Sequence, residues 1–242
     1  MKISGLSNKD GITFYGDNSF VVSKINDKGI FEIDLIVKKR DFIANLTKSI
    51  PFIKYYFKSI KASIFSMFML FVCLLCDTLY KGKIFLGIFV LFILFLSFII
   101  CIFQSKKFSG FHGAEHKAIN SYNFYNDISI ENIRKASRIA NNCGTNFLIM
   151  IVFITVITSI ITFIIFKKFY VITIFINYGV SRELFILNDI DNKPIISLVY
   201  KFGELLQKNI LTKEPTEKQL ELAKTAIEML INYEEKVFSI IN

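Results

Sequence analysis

The sequence predicts a mainly α-helical, polytopic membrane protein with about four transmembrane helices, a small N-terminal β element and C-terminal amphipathic helices. The first observation is that apolar residues, 53% of the 242-residue chain, are concentrated in runs. The second is that two runs, residues 84–103 and 147–166, contain no charged side chain and are long enough to cross a bilayer as helices. The third is that basic residues gather on one side of the runs. Together they favour a multi-pass membrane protein over a soluble one.

The first segment, residues 1–40, predicts a cytoplasmic β element. Strands over residues 20–25 and 30–37 flank Asn26-Asp27-Lys28-Gly29, which is rich in turn-forming residues. Apolar and acidic residues alternate between positions 31 and 35, as in a strand with one buried face. Because a lone hairpin is only marginally stable, we expect it to pack against the loop between the second and third spans or against the C-terminal helices.

Two transmembrane hairpins are predicted next. Residues 41–103 begin with an interfacial helix opened by Pro51 and continue into the first hairpin, and residues 147–187 form the second. Arg182 and Glu183 fall near the end of the last span, where long side chains can reach the lipid headgroups. The four predicted spans are residues 62–80, 84–103, 147–166 and 169–187.

The cytoplasmic loop and the C-terminal segment are predicted to be helical. The loop, residues 104–146, contains helices over 112–123 and 130–141, the second capped by Asp127 or Ser129. The C-terminal segment, residues 188–242, contains an amphipathic helix over 195–211 and a last helix opened by a Thr216/Gln219 capping box. The buried side of that last helix is predicted to carry Leu220, Ala223, Ile227 and Leu230.

The distribution of charge indicates orientation and excludes a nucleic-acid partner. With four spans and a cytoplasmic start, the cytoplasmic parts contain 25 of the 29 Lys and Arg residues. This asymmetry accounts for the net charge of +9 without a polynucleotide. We therefore predict a multi-pass cell-membrane protein with both termini in the cytoplasm. Its partners would be the lipid bilayer and a protein at the cytoplasmic face.

The two histidines of the chain, His112 and His116, lie in one five-residue stretch together with Glu115. On a helix the four-residue step places both imidazoles on one face, which Glu115 shares. HxxEH is the inverted zincin pattern, in which two imidazoles bind zinc and the glutamate acts as the general base. A third ligand is needed, and Cys143 or Glu183 can supply it. The predicted metal ligands, for zinc or another divalent metal, are thus His112, His116, Cys143 and Glu183, with Glu115 catalytic.

Five sequence motifs occur in a fixed order around the apolar runs: HGAEHKAINSY, ENIRKASR, CGTNF, GVSREL and LTKEPTEKQLELA. With them, residues 104–230 resemble the YqhQ-like family of bacterial integral membrane proteins, a domain of unknown function labelled a predicted metal-dependent enzyme. The glycine-rich N-terminal segment of that family is matched only by Gly5, Asp10, Gly11 and Gly16. The family also usually has a histidine where this chain has Ala140. This member has therefore either lost that group or replaced it.

A structural interpretation of the same residues stays open. His112 and His116 would then join the loop helices by hydrogen bonds, Cys143 would be a small buried residue, and Glu183 would pair with Arg182 or Arg138. Arg134 and Arg138, one turn apart on the second loop helix, bind anionic headgroups or form a solvated basic face.

Two functional hypotheses follow from these interpretations. The first is a metal-dependent hydrolase at the cytoplasmic membrane surface, acting on a peptide or lipid. The alternative is a non-catalytic membrane scaffold or membrane-protein assembly factor. The chain has neither a phosphate-binding GxxxxGKS loop nor a GxSxG nucleophile elbow.

Overall fold

The structure, a computed structural model, describes Met1 and residues 3–38, 106–166, 172–187 and 194–241. The chain divides into two compact units. The first comprises Met1–Lys39, Cys101–Asn141 and Phe202–Asn242, and the second comprises Arg40–Ile100 and Asn142–Lys201. Within the described residues the helices are, in chain order, α1 (Lys106–Tyr125), α2 (Ile130–Lys135), α3 (Gly144–Phe166), α4 (Ile172–Leu187), α5 (Pro194–Leu206) and α6 (Glu217–Ile241). A π-helical turn, Gln207–Leu211, directly follows α5.

The N-terminal segment of the first unit is an antiparallel sheet of four strands in sequential order. The strands are β1 (Ser4–Ser7), β2 (Gly11–Tyr15), β3 (Ser19–Ile25) and β4 (Phe31–Val37). The predicted hairpin is confirmed as β3 and β4, which are paired from Ile25 and Phe31 onward and joined by the predicted turn. Strands β1 and β2 were not predicted from the sequence. They are only four and five residues long, and the Ser-Gly-Leu-Ser sequence of β1 has almost no apolar alternation.

The core of the first unit lies between this sheet and helices α1 and α6. Ile12, Phe14 and Val21 contribute the sheet side of the core, and all three are fully buried. Ala114 and Ala118, four residues apart on α1, are also fully buried, so the helix backbone approaches the sheet closely. The predicted buried side of the last helix is confirmed, since Leu220, Ala223, Ile227 and Leu230 are at most 2% exposed.

The carboxylate of Glu234 connects α6 to the turn between β2 and β3. It accepts hydrogen bonds from the backbone N–H groups of Asn18 (2.8 Å) and Ser19 (2.7 Å), and from both of their side chains. Burial alone would raise the pKa of Glu234, but these four hydrogen bonds outweigh it and hold the pKa below its ordinary value. The last helix is therefore fixed to the N-terminal sheet by a charged acceptor as well as by apolar contacts.

The helix caps agree well with the sequence, but one helix ends early. The hydroxyl of Ser129 caps α2, as predicted. The capping box of α6 is confirmed, because the Thr216 N–H donates to Gln219 Oε1 at 2.9 Å and the Gln219 N–H donates to Thr216 Oγ1 at 3.4 Å. The prediction that the second loop helix reaches residue 141 is wrong: α2 ends at Lys135, and Ala136 is extended.

The second unit contains α3 and α4. Within the described residues, α3 is the one helix long and apolar enough to cross a membrane, by length and composition. Asn177 of α4 donates to Thr158 Oγ1 of α3 at 2.7 Å, which joins the two helices by a polar contact between apolar surfaces. The predicted spans 62–80 and 84–103 lie outside the described residues. The four-span architecture and the orientation of the termini therefore stay predictions.

Candidate metal site

Helix α1 carries the HxxEH motif, so the helical premise of the sequence argument is confirmed. The ring centroids of His112 and His116 lie 4.4 Å apart. His116 is 3% exposed, whereas His112 is half-buried. The four-residue spacing therefore produces a pair of adjacent imidazoles on one face of a helix that is anchored in the core.

Each imidazole is oriented by a backbone carbonyl outside α1. His112 Nδ1 lies 3.1 Å from the Leu211 oxygen, and His116 Nδ1 lies 2.7 Å from the Arg138 oxygen. Because a carbonyl oxygen can only accept, both Nδ1 atoms carry the hydrogen. The lone pair of each neutral ring is then on Nε2. Metal-binding histidines typically have this arrangement, in which one ring N–H donates to a carbonyl and the other nitrogen binds the ion.

Burial keeps both rings uncharged. It lowers the pKa of His116 to about 3, helped by the adjacent His112 and opposed by the hydrogen bond to Arg138. Burial also lowers the pKa of His112, against the hydrogen bond to Leu211. Both imidazoles are therefore neutral at pH 7, which is the form that binds metal ions.

Glu115 is directed towards the sheet. Its carboxylate accepts a hydrogen bond from the Ser7 hydroxyl at the end of β1, and the residue is only 6% exposed. Burial raises the pKa of Glu115 to about 7, although the bond from Ser7 acts in the opposite direction. A Cβ at Gly5 would lie less than 3.0 Å from this carboxyl group, so glycine is needed for its close approach to β1. Glu115 is thus a buried acid that can hold or release a proton near neutral pH.

The segment that follows α2 is held by side chains instead of by helical hydrogen bonds. Asn120 donates to the carbonyls of Ser137 and Ile139, each at 2.8 Å, and the Arg138 carbonyl accepts from His116. The amide of Gln207 bonds both the N–H (2.9 Å) and the carbonyl (3.1 Å) of Ala140. Four consecutive carbonyls therefore accept from side chains, which explains why the helix does not continue.

The π-helical turn places the other carbonyl of the site. The Gln207 carbonyl accepts from both the N–H (2.9 Å) and the hydroxyl (2.8 Å) of Thr212. These two bonds close the turn that contains Leu211, whose carbonyl accepts from His112. Beyond it, the Lys213 N–H donates to the Ser109 carbonyl of α1 at 2.9 Å. Short π segments are rare and occur often at functional sites.

Three residues of the site, Ser7, Asn120 and Gln207, were not predicted from the sequence. A signal for Asn120 was present, because the residue continues the four-residue series His112, His116, Asn120 and therefore shares their face. No comparable signal exists for Gln207 or Ser7, which reach the site from distant parts of the chain.

The other predicted residues lie outside the histidine pair on α1. Cys143 and Glu183 belong to the second unit: Cys143 is buried directly before α3, with the Thr145 N–H 3.4 Å from its sulfur, and Glu183 is exposed on α4. Arg134 pairs with Glu217 at 2.7 Å. The prediction that Arg134 and Arg138 lie one turn apart on a helix is wrong, because α2 ends between them. The first unit thus brings together two of the four predicted ligands.

Comparison with known proteins gives the family. A family model described as "Protein of unknown function (DUF1385)" matches residues 21–233, which is most of the chain. The chain belongs to this family. It is also similar to "Uncharacterized protein YqhQ" of Bacillus subtilis (strain 168), with 31% identity over 136 residues. That match spans 53% of this chain but only 42% of the relative, so the chain covers less than half of the relative's length. The YqhQ-like resemblance is confirmed, and no solved structure matches.

Proposed function

We propose that this DUF1385 chain is a metal-dependent hydrolase in which His112 and His116 bind zinc or another divalent metal. The observation that carries the proposal is the pair of hydrogen bonds from Nδ1 to backbone carbonyls, which places both lone pairs on Nε2 of adjacent rings. A bound divalent metal would supply an acidified water and a Lewis acid for hydrolysis. The donor set, two neutral imidazoles fixed by a rigid helix, fits zinc.

Cys143 is our proposed third ligand. Ala140 is held by Gln207, and Cys143 follows it by three residues, so the covalent chain limits the distance between their Cα atoms to about 11 Å. A thiolate also binds zinc more strongly than a carboxylate does. Glu183 is the alternative third ligand by the inverted zincin pattern.

Glu115 is proposed to move the proton in this reaction. General acid–base catalysis is most efficient when the pKa of the group is close to the working pH. The raised pKa of Glu115, about 7, meets that condition. In the reaction the carboxyl group would have to leave its hydrogen bond with Ser7 on the sheet and turn towards the imidazoles. The substrate would be a peptide or lipid reached from the cytoplasm or the inner leaflet.

A scaffold is the second candidate function, and one observation favours it. The same Nδ1 hydrogen bonds join α1 to the segment after α2 and to the π-helical turn, which a purely structural histidine pair would also do. The two functions differ in what Nε2 does, so the experiment must remove that atom and keep the Nδ1 donor.

His116→Asn makes this separation, because the asparagine amide can still donate to the Arg138 carbonyl but lacks Nε2. We expect the detergent-purified full chain to contain about one zinc per protein and the variant to contain almost none. The metal-free forms should have similar melting temperatures. The matched control is Asn120→Ala, which removes the donor to the Ser137 and Ile139 carbonyls and leaves the imidazoles in place; it should melt earlier but retain its zinc. A wild type that binds neither zinc nor cobalt would favour the scaffold.

A further inference from the structure

Helix α5 is apolar on two opposite sides. Val199, Tyr200 and Ile196 are buried on one side. On the other, Leu198, Phe202 and Leu205 are 62%, 55% and 55% exposed. A row of large apolar side chains on a helix is normally covered by protein or by lipid. Its exposed side therefore requires an explanation.

The three exposed residues form a continuous stripe. Their spacing of four and three residues places Leu198, Phe202 and Leu205 in one row along the helix, and we call them the α5 stripe. Monomeric soluble proteins rarely expose contiguous apolar patches of large side chains, and such patches mark contact surfaces. The exposed residue Lys201 lies beside the stripe on α5, and the exposed Lys208 follows in the π-helical turn. Glu204, which is also exposed, lies further round the helix from the stripe than Lys201 does.

We propose that the α5 stripe lies in the surface layer of an acidic phospholipid bilayer. A lysine beside an apolar row, with a second lysine in the following turn, is typical of helices that lie in the plane of a membrane, where ammonium groups attract acidic headgroups. With 13 residues, α5 is shorter than the roughly 20 residues that a spanning helix needs, so its lipid contact is interfacial.

Other exposed apolar residues of the chain support lipid as the occupant. The exposed part of α3 is aliphatic over most of the helix, as a lipid-facing surface is. Its exposed apolar residues are Val152, Val156, Ile157, Ile160, Ile161, Ile164, Ile165 and Phe166. The same chain therefore already has one surface that suits hydrocarbon, and α5 adds a shorter one with cationic residues beside it.

This contact has a consequence for the site. Helix α5 leads without interruption into the π-helical turn, in which Gln207 holds Ala140 and the Leu211 carbonyl accepts from His112. Seating α5 on lipid therefore steadies the contact of His112 with Leu211 and the contact by which Gln207 holds Ala140. This consequence rests on the proposed function, whereas the lipid contact itself does not.

The chain contains no tryptophan, so a single introduced tryptophan reports its own surroundings. Phe202→Trp is the probe, and Phe124→Trp, at a position 77% exposed near the end of α1, is the matched control. Both full-length variants are reconstituted into phosphatidylcholine vesicles with and without phosphatidylglycerol. We expect lipids brominated on the acyl chain to quench the tryptophan at 202 severalfold more than the tryptophan at 124, with the reverse order for aqueous iodide.

A second variant keeps the test decisive if Phe202→Trp fails to fold: Leu205→Trp should respond in the same way. Replacing Lys201 and Lys208 by Gln should remove the added quenching that phosphatidylglycerol gives at position 202. Equal responses of the two probes to both quenchers would place the stripe in water and overturn the proposal. Protection of position 202 from iodide without quenching by lipid would mean that protein covers the stripe, and it would also overturn the proposal. Zinc content is measured separately, so failure of the metal site does not affect this result.

Discussion

Replacing Gly113 by alanine tests how closely the segment after the π-helical turn must pass α1. A Cβ at Gly113 would lie less than 3.0 Å from the Lys213 carbonyl oxygen, which real Cβ atoms essentially never do. That oxygen belongs to the backbone and cannot move by a change of rotamer. The segment as a whole must therefore shift, and the Lys213 N–H bond to Ser109 is the first contact to be lost.

The expected cost follows from the size of this conflict. Forcing an extra methyl group into a well-packed place typically costs about 1–3 kcal/mol. If the cost falls on the local contact, the Lys213 amide should exchange its hydrogen about 5- to 150-fold faster in the variant. The same shift moves Leu211, so His112 loses its acceptor and zinc affinity should fall as well.

Hydrogen–deuterium exchange of the full chain in detergent, followed over a peptide that contains residues 209–216, measures this effect. Gly144→Ala is the matched control, because a Cβ there meets no atom within 4 Å. Alanine should also suit the first turn of α3 at least as well as glycine does. Unchanged exchange in Gly113→Ala, or equal changes in both variants, would refute the reasoning.

Two further predictions concern other contacts. Glu234→Gln should lower the melting temperature at pH 7, and the difference from wild type should shrink as the pH falls below about 4.5. The reason is that the pKa of this carboxyl is depressed in the folded state. The carboxylate therefore stabilises the fold above its unfolded pKa, and this contribution is lost when the group is protonated. Thermal scans at several pH values measure this, and a difference independent of pH would contradict it. In the second unit, Asn177→Val and Thr158→Val both remove the bond between these residues, so each should cost about 0.6–2 kcal/mol. The double variant should cost no more than Asn177→Val alone, which also loses the bond to Thr155 Oγ1 at 3.4 Å. If the stability losses of the two single variants added up in the double variant, the two side chains would not act through one common hydrogen bond.

Local signals in the sequence predicted local structure well. The Asn26-Asp27-Lys28-Gly29 turn, the Ser129 cap and the Thr216/Gln219 box each depend on residues within a few positions of one another, and all three are confirmed. The helical spacing of His112 and His116 likewise requires only a helix, and α1 is one. Such features follow from short-range hydrogen bonding and steric preference, which a single sequence displays directly.

Features that depend on distant residues were not predictable in the same way. The end of α2 at Lys135 could not be read locally, because Asn120, His116 and Gln207 take the carbonyls that a longer helix would use. The direction of Glu115 towards β1 depends on Ser7, which is 108 residues away and in a strand that the sequence barely signals. The imidazole pair could thus be predicted from its motif, whereas its hydrogen-bond partners required the tertiary fold.

The division of the first unit into three separate stretches of chain has a consequence for biogenesis. The sheet is synthesised before α6, so Asn18 and Ser19 meet Glu234 only after α6 has been made. The π-helical turn that orients His112 also comes late, since Leu211 lies 99 residues downstream of it. During translation the apolar face of the sheet therefore stays partly uncovered until the last helix has emerged.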